Sequence, residues 1–120
     1  AVKYLHEHQI IFRDIKPDNI GFYYTSTGEE IPKLFDFGLV KELKKSSRVS
    51  GYGENALYKL TGKPGSRRYM SPEVAFCHAY NYKADIYSLG ILLYEIATLV
   101  GTVFEGYTYH SHEFEILRRV

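Results

Sequence analysis

The longest apolar stretch of the sequence is IYSLGILLYEIATLVGTVF, at residues 86–104. It is nearly long enough to cross a bilayer, but Glu95 stands at its middle, and a carboxylate at the centre of a membrane is costly. The pattern therefore favours a buried helix at about residues 85–98 over a membrane span. Asp85 is the residue type that caps a helix N-terminus, and we expect it to be the N-cap.

Two shorter apolar runs, at residues 20–24 and 31–35, flank the turn-rich segment TSTGEE. This pattern predicts a β-hairpin with a long loop. The tripeptide Ser-Pro-Glu at residues 71–73 predicts the start of a short helix, because proline is favoured at the first helical position. Residues 38–70 show no clear periodicity, and we expect an irregular segment there.

The two ends of the sequence resemble parts of helices. The first eight residues, AVKYLHEH, are typical of the end of a helix, and the last nine, HEFEILRRV, are typical of a helix without a C-cap. Residues 102–111 are expected to form a loop. We therefore expect both ends to lie inside structural elements.

Composition narrows the class of protein. The chain has 120 residues, of which 45% are hydrophobic and 24% are charged, as in a small globular domain. Its net charge of +1 gives no general attraction to nucleic acid or to membranes, and we expect neither as a partner. The single cysteine, Cys77, excludes an internal disulfide and favours a reducing, cytoplasmic location.

Candidate chemistry is concentrated in two short polar segments. Asp14, Lys16 and Asn19 share one loop, and Asp36 follows the second strand of the predicted hairpin. Phosphoryl transfer requires a carboxylate to orient the attacking hydroxyl, a cation on the transferring phosphate, and oxygen ligands for magnesium. Asp14 can supply the first and Lys16 the second. Asn19 and Asp36 can supply the third.

Four motifs resemble those of eukaryotic-type protein kinases and occur in the family order. FRDIKPDN at residues 12–19 resembles the catalytic loop, and DFG at residues 36–38 matches the metal-binding loop. SPE at residues 71–73 resembles the APE motif, and DIYSLG at residues 85–90 resembles the start of the central helix of the C-lobe.

The resemblance covers nearly the whole chain and implies a partial kinase domain over residues 1–120. The implied fold is α+β: a mainly helical C-lobe fragment, with a β-hairpin that carries the catalytic and DFG loops and without an N-lobe. The activation segment would span residues 36–73. Ligands of the family are ATP and Mg²⁺, and the partner is a protein substrate.

The resemblance also implies a role for each matching residue. Asp14 would be the catalytic base, and Lys16 would contact the γ-phosphate of ATP. Asn19 and Asp36 would bind magnesium, within a loop completed by Phe37 and Gly38. Two further residues would be structural. Asp85 would bind the backbone of the catalytic loop, and Glu73 would form an ion pair with an arginine beyond residue 120.

Features of the activation segment favour a serine/threonine kinase over a tyrosine kinase. Lys16 is typical of the former, and GSRRYMSPE at residues 65–73 resembles their G-T/S-x-x-Y-M-A-P-E segment. The hydroxyl of Ser66 would then bond to both Asp14 and Lys16. Arg13, which precedes the base, is typical of kinases that are activated by phosphorylation of this segment. We expect phosphorylated Thr61 to bind its guanidinium.

The sequence also departs from the family pattern. Phe12 replaces the usual histidine, although an aromatic ring can still pack against Phe37. Gly21 replaces a larger apolar residue that usually forms the floor beneath adenine. These departures keep open a non-catalytic, pseudokinase-like scaffold as the alternative function, and a small-molecule kinase is a third interpretation.

The histidine pairs His6/His8 and His110/His112 are interpreted as exposed or hydrogen-bonded side chains rather than metal ligands. No Gly-rich loop, strand lysine or partnering helix glutamate is found in the 120 residues. We expect the full-length chain to supply them in an N-lobe. By itself, the 120-residue chain is expected to fold poorly and to be inactive.

Overall fold

The computed structural model describes residues 1–62 and 64–99. The predicted loop at 102–111, the predicted last helix, His110 and His112 lie outside these residues. Within them the fold is α+β, as predicted, and combines α-helices with small antiparallel sheets.

The described residues form α-helices, short β-strands and 3-10 turns. The helices are α1 (Val2–Glu7), α2 (Pro72–Ala75) and α3 (Lys83–Thr98), and the strands are β1 (Ile10–Ile11), β2 (Ile20–Tyr24), β3 (Glu30–Leu34), β4 (Lys41–Glu42), β5 (Arg48–Ser50) and β6 (Leu57–Tyr58). Single 3-10 turns form at Pro17–Asn19, Phe37–Leu39, Lys45–Ser47 and Gly53–Asn55.

The predicted hairpin is confirmed as β2 paired antiparallel with β3. Its register places Ile20 opposite Leu34 and Tyr24 opposite Glu30. Side chains alternate between the two faces of a strand. Ile20 and Leu34 therefore share one face, which packs against the core cluster around Phe12.

The prediction of an irregular segment at residues 38–70 is wrong in part. β4 pairs with β1, and β5 pairs with β6 across an irregular register. Tyr58 and Tyr80 then form a two-way backbone bridge, with N–O distances of 2.9 and 3.1 Å. Strands of two or three residues are too short to show an alternating pattern, so periodicity could not reveal them.

Two groups of buried side chains hold the elements together. The first joins β1 and the activation segment to α2 and α3, and comprises Ile11, Leu43, Ala56, Tyr58, Met70, Val74, Tyr80 and Ala84. The second lies under residues 12–19, which resemble a kinase catalytic loop and are called the catalytic loop below; here Phe12, Ile15 and Leu92 pack with partly buried neighbours from α1, the hairpin and α3. The catalytic loop therefore rests directly on the apolar core.

The start of α3 corrects one expectation. The helix begins at Lys83, two residues before Asp85, so Asp85 is not its N-cap. The Lys83 backbone N–H donates to Asn81 Oδ1 at 2.9 Å, which satisfies a free donor of the first turn. The Asp85 carboxylate is instead occupied by the catalytic loop, as described below.

α3 also carries exposed apolar side chains, with Ile86, Leu93, Tyr94 and Ile96 each at least half exposed. Over the described residues, no helix is both long enough and apolar enough to cross a membrane.

Candidate active site

Asp85 of α3 anchors the backbone of the catalytic loop. Its side chain is 1% exposed, and its two oxygens accept the N–H groups of Phe12 and Arg13, each at 2.8 Å. These bonds fix the loop at Arg13, whose φ of 73° is a left-handed conformation that is strained for a residue with a side chain. The structure thus brings Asp85 to the loop, and the bonds offset part of this local strain.

His6 of α1 is a third partner of the same carboxylate. Its Nε2 donates to Asp85 Oδ2 at 2.8 Å across 79 positions of the chain. The imidazole is 12% exposed. No pattern in the sequence indicates this role, because the contact depends on how α1 packs against α3.

Asp14 lies at the centre of the polar site and is 9% exposed. Lys16 Nζ is 3.0 Å from Oδ2, Asn19 Nδ2 donates to the same oxygen at 2.8 Å, and Ser66 N–H donates to Oδ1 at 2.8 Å. Burial acts to raise the pKa of Asp14, but the bonds from Lys16, Ser66 and Asn19 outweigh it and hold the pKa below its usual value. Asp14 is therefore a carboxylate at neutral pH.

Asn19 ends the catalytic loop and is 5% exposed. Its Nδ2 group donates to both the backbone oxygen and Oδ2 of Asp14, each at 2.8 Å. Since the amide nitrogen is committed to Asp14, the side-chain oxygen Oδ1 is the atom left to bind a cation.

The activation segment returns to the site at Gly65 and Ser66. Lys16 Nζ donates to Ser66 Oγ at 2.9 Å. Gly65 has φ +88°, and a Cβ atom there would stand 2.3 Å from the backbone oxygen of Arg13. Only glycine permits this close approach. The segment therefore lies against the catalytic loop. The Ser66 hydroxyl bonds to Lys16 as expected, but the bond to Asp14 comes from the Ser66 backbone N–H and not from the hydroxyl.

The Asp36 side chain bonds to its own loop and not to the cluster around Asp14. Asp36 has φ 55°, its carboxylate is exposed, and Oδ1 accepts the N–H of Gly38 at 3.1 Å. The next residue, Phe37, meets Phe12 edge-on, with 5.4 Å between ring centroids. Phe12 therefore keeps an aromatic contact with the DFG loop.

Arg13 faces the activation segment rather than the polar cluster. Its Nε donates to Leu39 O at 2.6 Å, and its Nη1 lies 3.2 Å from Thr61 O and 3.4 Å from Tyr80 Oη. Within the described residues these partners are neutral oxygens, and no carboxylate forms an ion pair with Arg13. The guanidinium charge is thus not neutralised by the part of the chain described.

Tyr69 and Glu95 form a partly buried pair that the sequence did not predict. Tyr69 Oη donates to Glu95 Oε2 at 2.8 Å, and Glu95 is 7% exposed. Burial and the neighbouring carboxylate both raise the pKa of Tyr69, so the phenol is protonated at neutral pH and can donate this hydrogen bond. The available signal was the position of Glu95 inside an apolar helix.

The residues of the SPE motif differ in environment. Glu73 is half-buried, and its carboxylate forms no ion pair within the described part of the chain. Ser71 is 1% exposed, and its Oγ has no hydrogen-bond partner among the described residues.

Comparison with known proteins identifies the class. The protein kinase domain family matches residues 1–119. The chain therefore belongs to the protein kinase family.

Individual relatives agree with this assignment. The chain is 36% identical to eukaryotic translation initiation factor 2-alpha kinase 3 of Bos taurus over 112 residues, which cover 88% of this chain and 9% of that protein. It is 39% identical to serine/threonine-protein kinase 36 of Pongo abelii, over 85% of this chain and 6% of the relative. It is also 39% identical to serine/threonine-protein kinase VIK of Arabidopsis thaliana, over 80% of this chain and 20% of the relative. The chain thus spans a small part of the length of each.

Proposed function

We propose that the protein transfers the γ-phosphate of ATP to serine or threonine hydroxyls of a protein substrate. The observation that carries this proposal is the contact set of Lys16, which joins Asp14 at 3.0 Å and Ser66 at 2.9 Å. A carboxylate, a cation and an activation-segment hydroxyl therefore meet at one point. Phosphoryl transfer needs such positioning more than it needs covalent chemistry.

Asp14 would orient the substrate hydroxyl and accept its proton as the oxygen attacks phosphorus. Its lowered pKa keeps it in the acceptor form at neutral pH. The hydrogen bonds from Asn19 and Ser66 fix the carboxylate in position before substrate arrives.

Lys16 would bind the transferring phosphate. Its ammonium group already lies beside Asp14 and can exchange the Ser66 hydroxyl for a phosphate oxygen with little movement. A positive charge there stabilises the charge that develops on the phosphate in the transition state.

Magnesium would bind through Asn19 and Asp36, whose oxygens are the hard ligands that this ion prefers. These side chains fit a magnesium ion. The hydrogen bonds of Asn19 use only its Nδ2 group, so its Oδ1 can face the ion, and the Asp36 carboxylate is exposed. Within the described residues, no group of three or more acidic, histidine or cysteine side chains could hold a metal alone. Nucleotide phosphates would therefore have to complete the coordination, and the bound ion would neutralise their charge.

Specificity for serine and threonine rests on Lys16, on the contact of Ser66 with it, and on relatives that are named serine/threonine kinases. Regulation would act through Arg13. The Thr61 backbone already lies on its guanidinium, so a phosphate added to the exposed Thr61 side chain could bind there.

The test measures phosphate transfer by the full-length protein, with Mg²⁺ and radiolabelled ATP, to peptides that differ only in the acceptor residue, which is Ser, Thr or Tyr. Wild type should label the Ser and Thr peptides, and Asp14→Asn should lower the rate at least 100-fold. Asp18→Asn, an exposed residue of the same loop, is the control.

The alternative is a non-catalytic scaffold, which Gly21 favours because it removes a side chain expected beneath the nucleotide. Equal labelling by wild type and Asp14→Asn would reject catalysis by this site and favour the scaffold. Preferential labelling of the Tyr peptide would reject the Ser/Thr assignment alone.

A further inference from the structure

The space above Gly21 is filled by an aromatic ring from the neighbouring strand. A Cβ atom at Gly21 would stand 2.3 Å from Cε2 of Phe35 and 3.2 Å from its Cζ. Real Cβ atoms do not approach carbon this closely, so the position of the ring requires glycine at residue 21. Gly21 and Phe35 are thus sterically coupled.

The ring lies on the face of the hairpin that points away from the core. Gly21 is opposite Lys33, and alternation places residues 21, 33 and 35 on one face. Ile20 and Leu34 occupy the other face and pack on the core cluster around Phe12. Phe35 is 51% exposed, so half of a large apolar side chain is left uncovered on the outer face.

The ring is also fixed next to the candidate active site. The Phe35 N–H donates to Asn19 O at 2.9 Å, which extends the hairpin pairing by one residue. Phe35 is therefore opposite Asn19 on the neighbouring strand and directly before Asp36 in the sequence, and these are the two residues proposed to bind magnesium. A nucleotide whose phosphates are held by that pair would place its base within reach of this face.

We propose that the Phe35 ring takes the place of the side chain that Gly21 lacks and forms the apolar surface beneath the nucleotide base. This inference rests on the proposed function and adds a specificity-determining residue to it. An aromatic face stacks on purine bases and excludes water from them. The apolar surface is then supplied from residue 35 instead of residue 21, and Gly21 does not weaken the nucleotide site.

The experiment measures ADP affinity of the full-length protein by isothermal titration calorimetry, together with the KM for ATP. Phe35→Ala should weaken both about tenfold, because the aromatic face that stacks on the base is removed. Phe22→Ala is the matched control. Phe22 is on the same hairpin and is 59% exposed, but it belongs to the opposite face. It should leave both values within about twofold.

A double-mutant cycle tests the coupling itself. Gly21→Leu alone should displace the ring and weaken ADP binding, whereas Gly21→Leu with Phe35→Ala should bind more tightly than either single variant, because leucine then occupies the vacated space. Melting temperatures without nucleotide check that each variant is folded.

The outcomes separate the two proposals. If wild type transfers phosphate but Phe35→Ala binds ADP as well as Phe22→Ala does, this inference is wrong and the proposed function stands. Additive effects in the cycle would likewise overturn it. If folded wild type neither binds ADP nor transfers phosphate, both proposals fail.

Discussion

His6 and Phe12 share one oxygen of Asp85, each at 2.8 Å, so that α1, the catalytic loop and α3 meet at a single buried carboxylate. A buried charge is stable only when hydrogen bonds satisfy it. The imidazole therefore supports the loop indirectly, through the residue that fixes the loop backbone.

Removal of this imidazole should destabilise the fold. We expect His6→Ala to lower the free energy of unfolding by about 1–3 kcal/mol, because the buried carboxylate loses a donor. His8→Ala should cost less than about 0.5 kcal/mol, since His8 is exposed and lies just after the last residue of the same helix. Urea denaturation of the full-length protein measures both values. Equal losses for the two variants would contradict the role of His6.

Stability should depend on the ionisation of Asp14. The folded state holds its pKa below the usual value, so the folded state binds this proton less readily than the unfolded state. Its contribution to stability is therefore complete above the unfolded pKa of about 4 and is lost as pH falls through the lower folded value.

Urea denaturation between about pH 6 and pH 3 checks this dependence. Asp14→Asn should flatten the decline in stability relative to wild type. Asp18→Asn removes an exposed carboxylate of the same loop and controls for net charge. A steeper decline in Asp14→Asn than in wild type would show that the sign is wrong.

Ser71 offers a change that should stabilise the protein. Its buried hydroxyl has no partner among the described residues, and burial of an unpaired hydroxyl is costly. Ser71→Ala should raise the free energy of unfolding by about 1 kcal/mol. Ser88→Ala should lower it by a similar amount, because Ser88 Oγ donates to Tyr69 O at 2.6 Å. Thermal unfolding distinguishes the two, and a loss of stability in Ser71→Ala would refute the first expectation.

Phosphorylation of Thr61 should raise activity through Arg13. Thr61→Ala is expected to reduce kcat at least tenfold, and phosphatase treatment should reduce wild type equally but leave the variant unchanged. Ser46→Ala, an exposed hydroxyl in the same segment, is the control and should keep its response to phosphatase. Full activity of Thr61→Ala would show that phosphorylation of Thr61 is not required for activity.

The sequence predicted those parts of the protein in which the signal is local. The hairpin and the short helix at Pro72 follow from apolar alternation and from turn and capping residues, and both are confirmed. The position of α3 was predicted to within two residues at its start. The catalytic-loop motif located Asp14, Lys16 and Asn19, which the structure brings into contact, whereas Asp36 of the DFG motif bonds to Gly38 and not to this cluster.

What the sequence could not predict depends on contacts between distant residues. The bonds of His6 to Asp85 and of Tyr69 to Glu95, and the position of the Phe35 ring over Gly21, arise only when helices and strands pack together. The N-cap prediction for Asp85 failed for the same reason. A carboxylate near a helix start can cap the helix or bind a distant loop, and only the tertiary structure decides between them.

The backbone bridge between Tyr58 and Tyr80 closes residues 58–80 into a ring that includes Ser66. We expect a residue added between Tyr58 and Ser66 to move Ser66 relative to Lys16 and Asp14, because the bridge holds one end of this stretch in place. Residues 43–57 lie outside the ring and carry mostly exposed side chains. Insertions, tags or reporter peptides should therefore be tolerated at the exposed residues 51–55 and should disturb the site when placed between Tyr58 and Ser66.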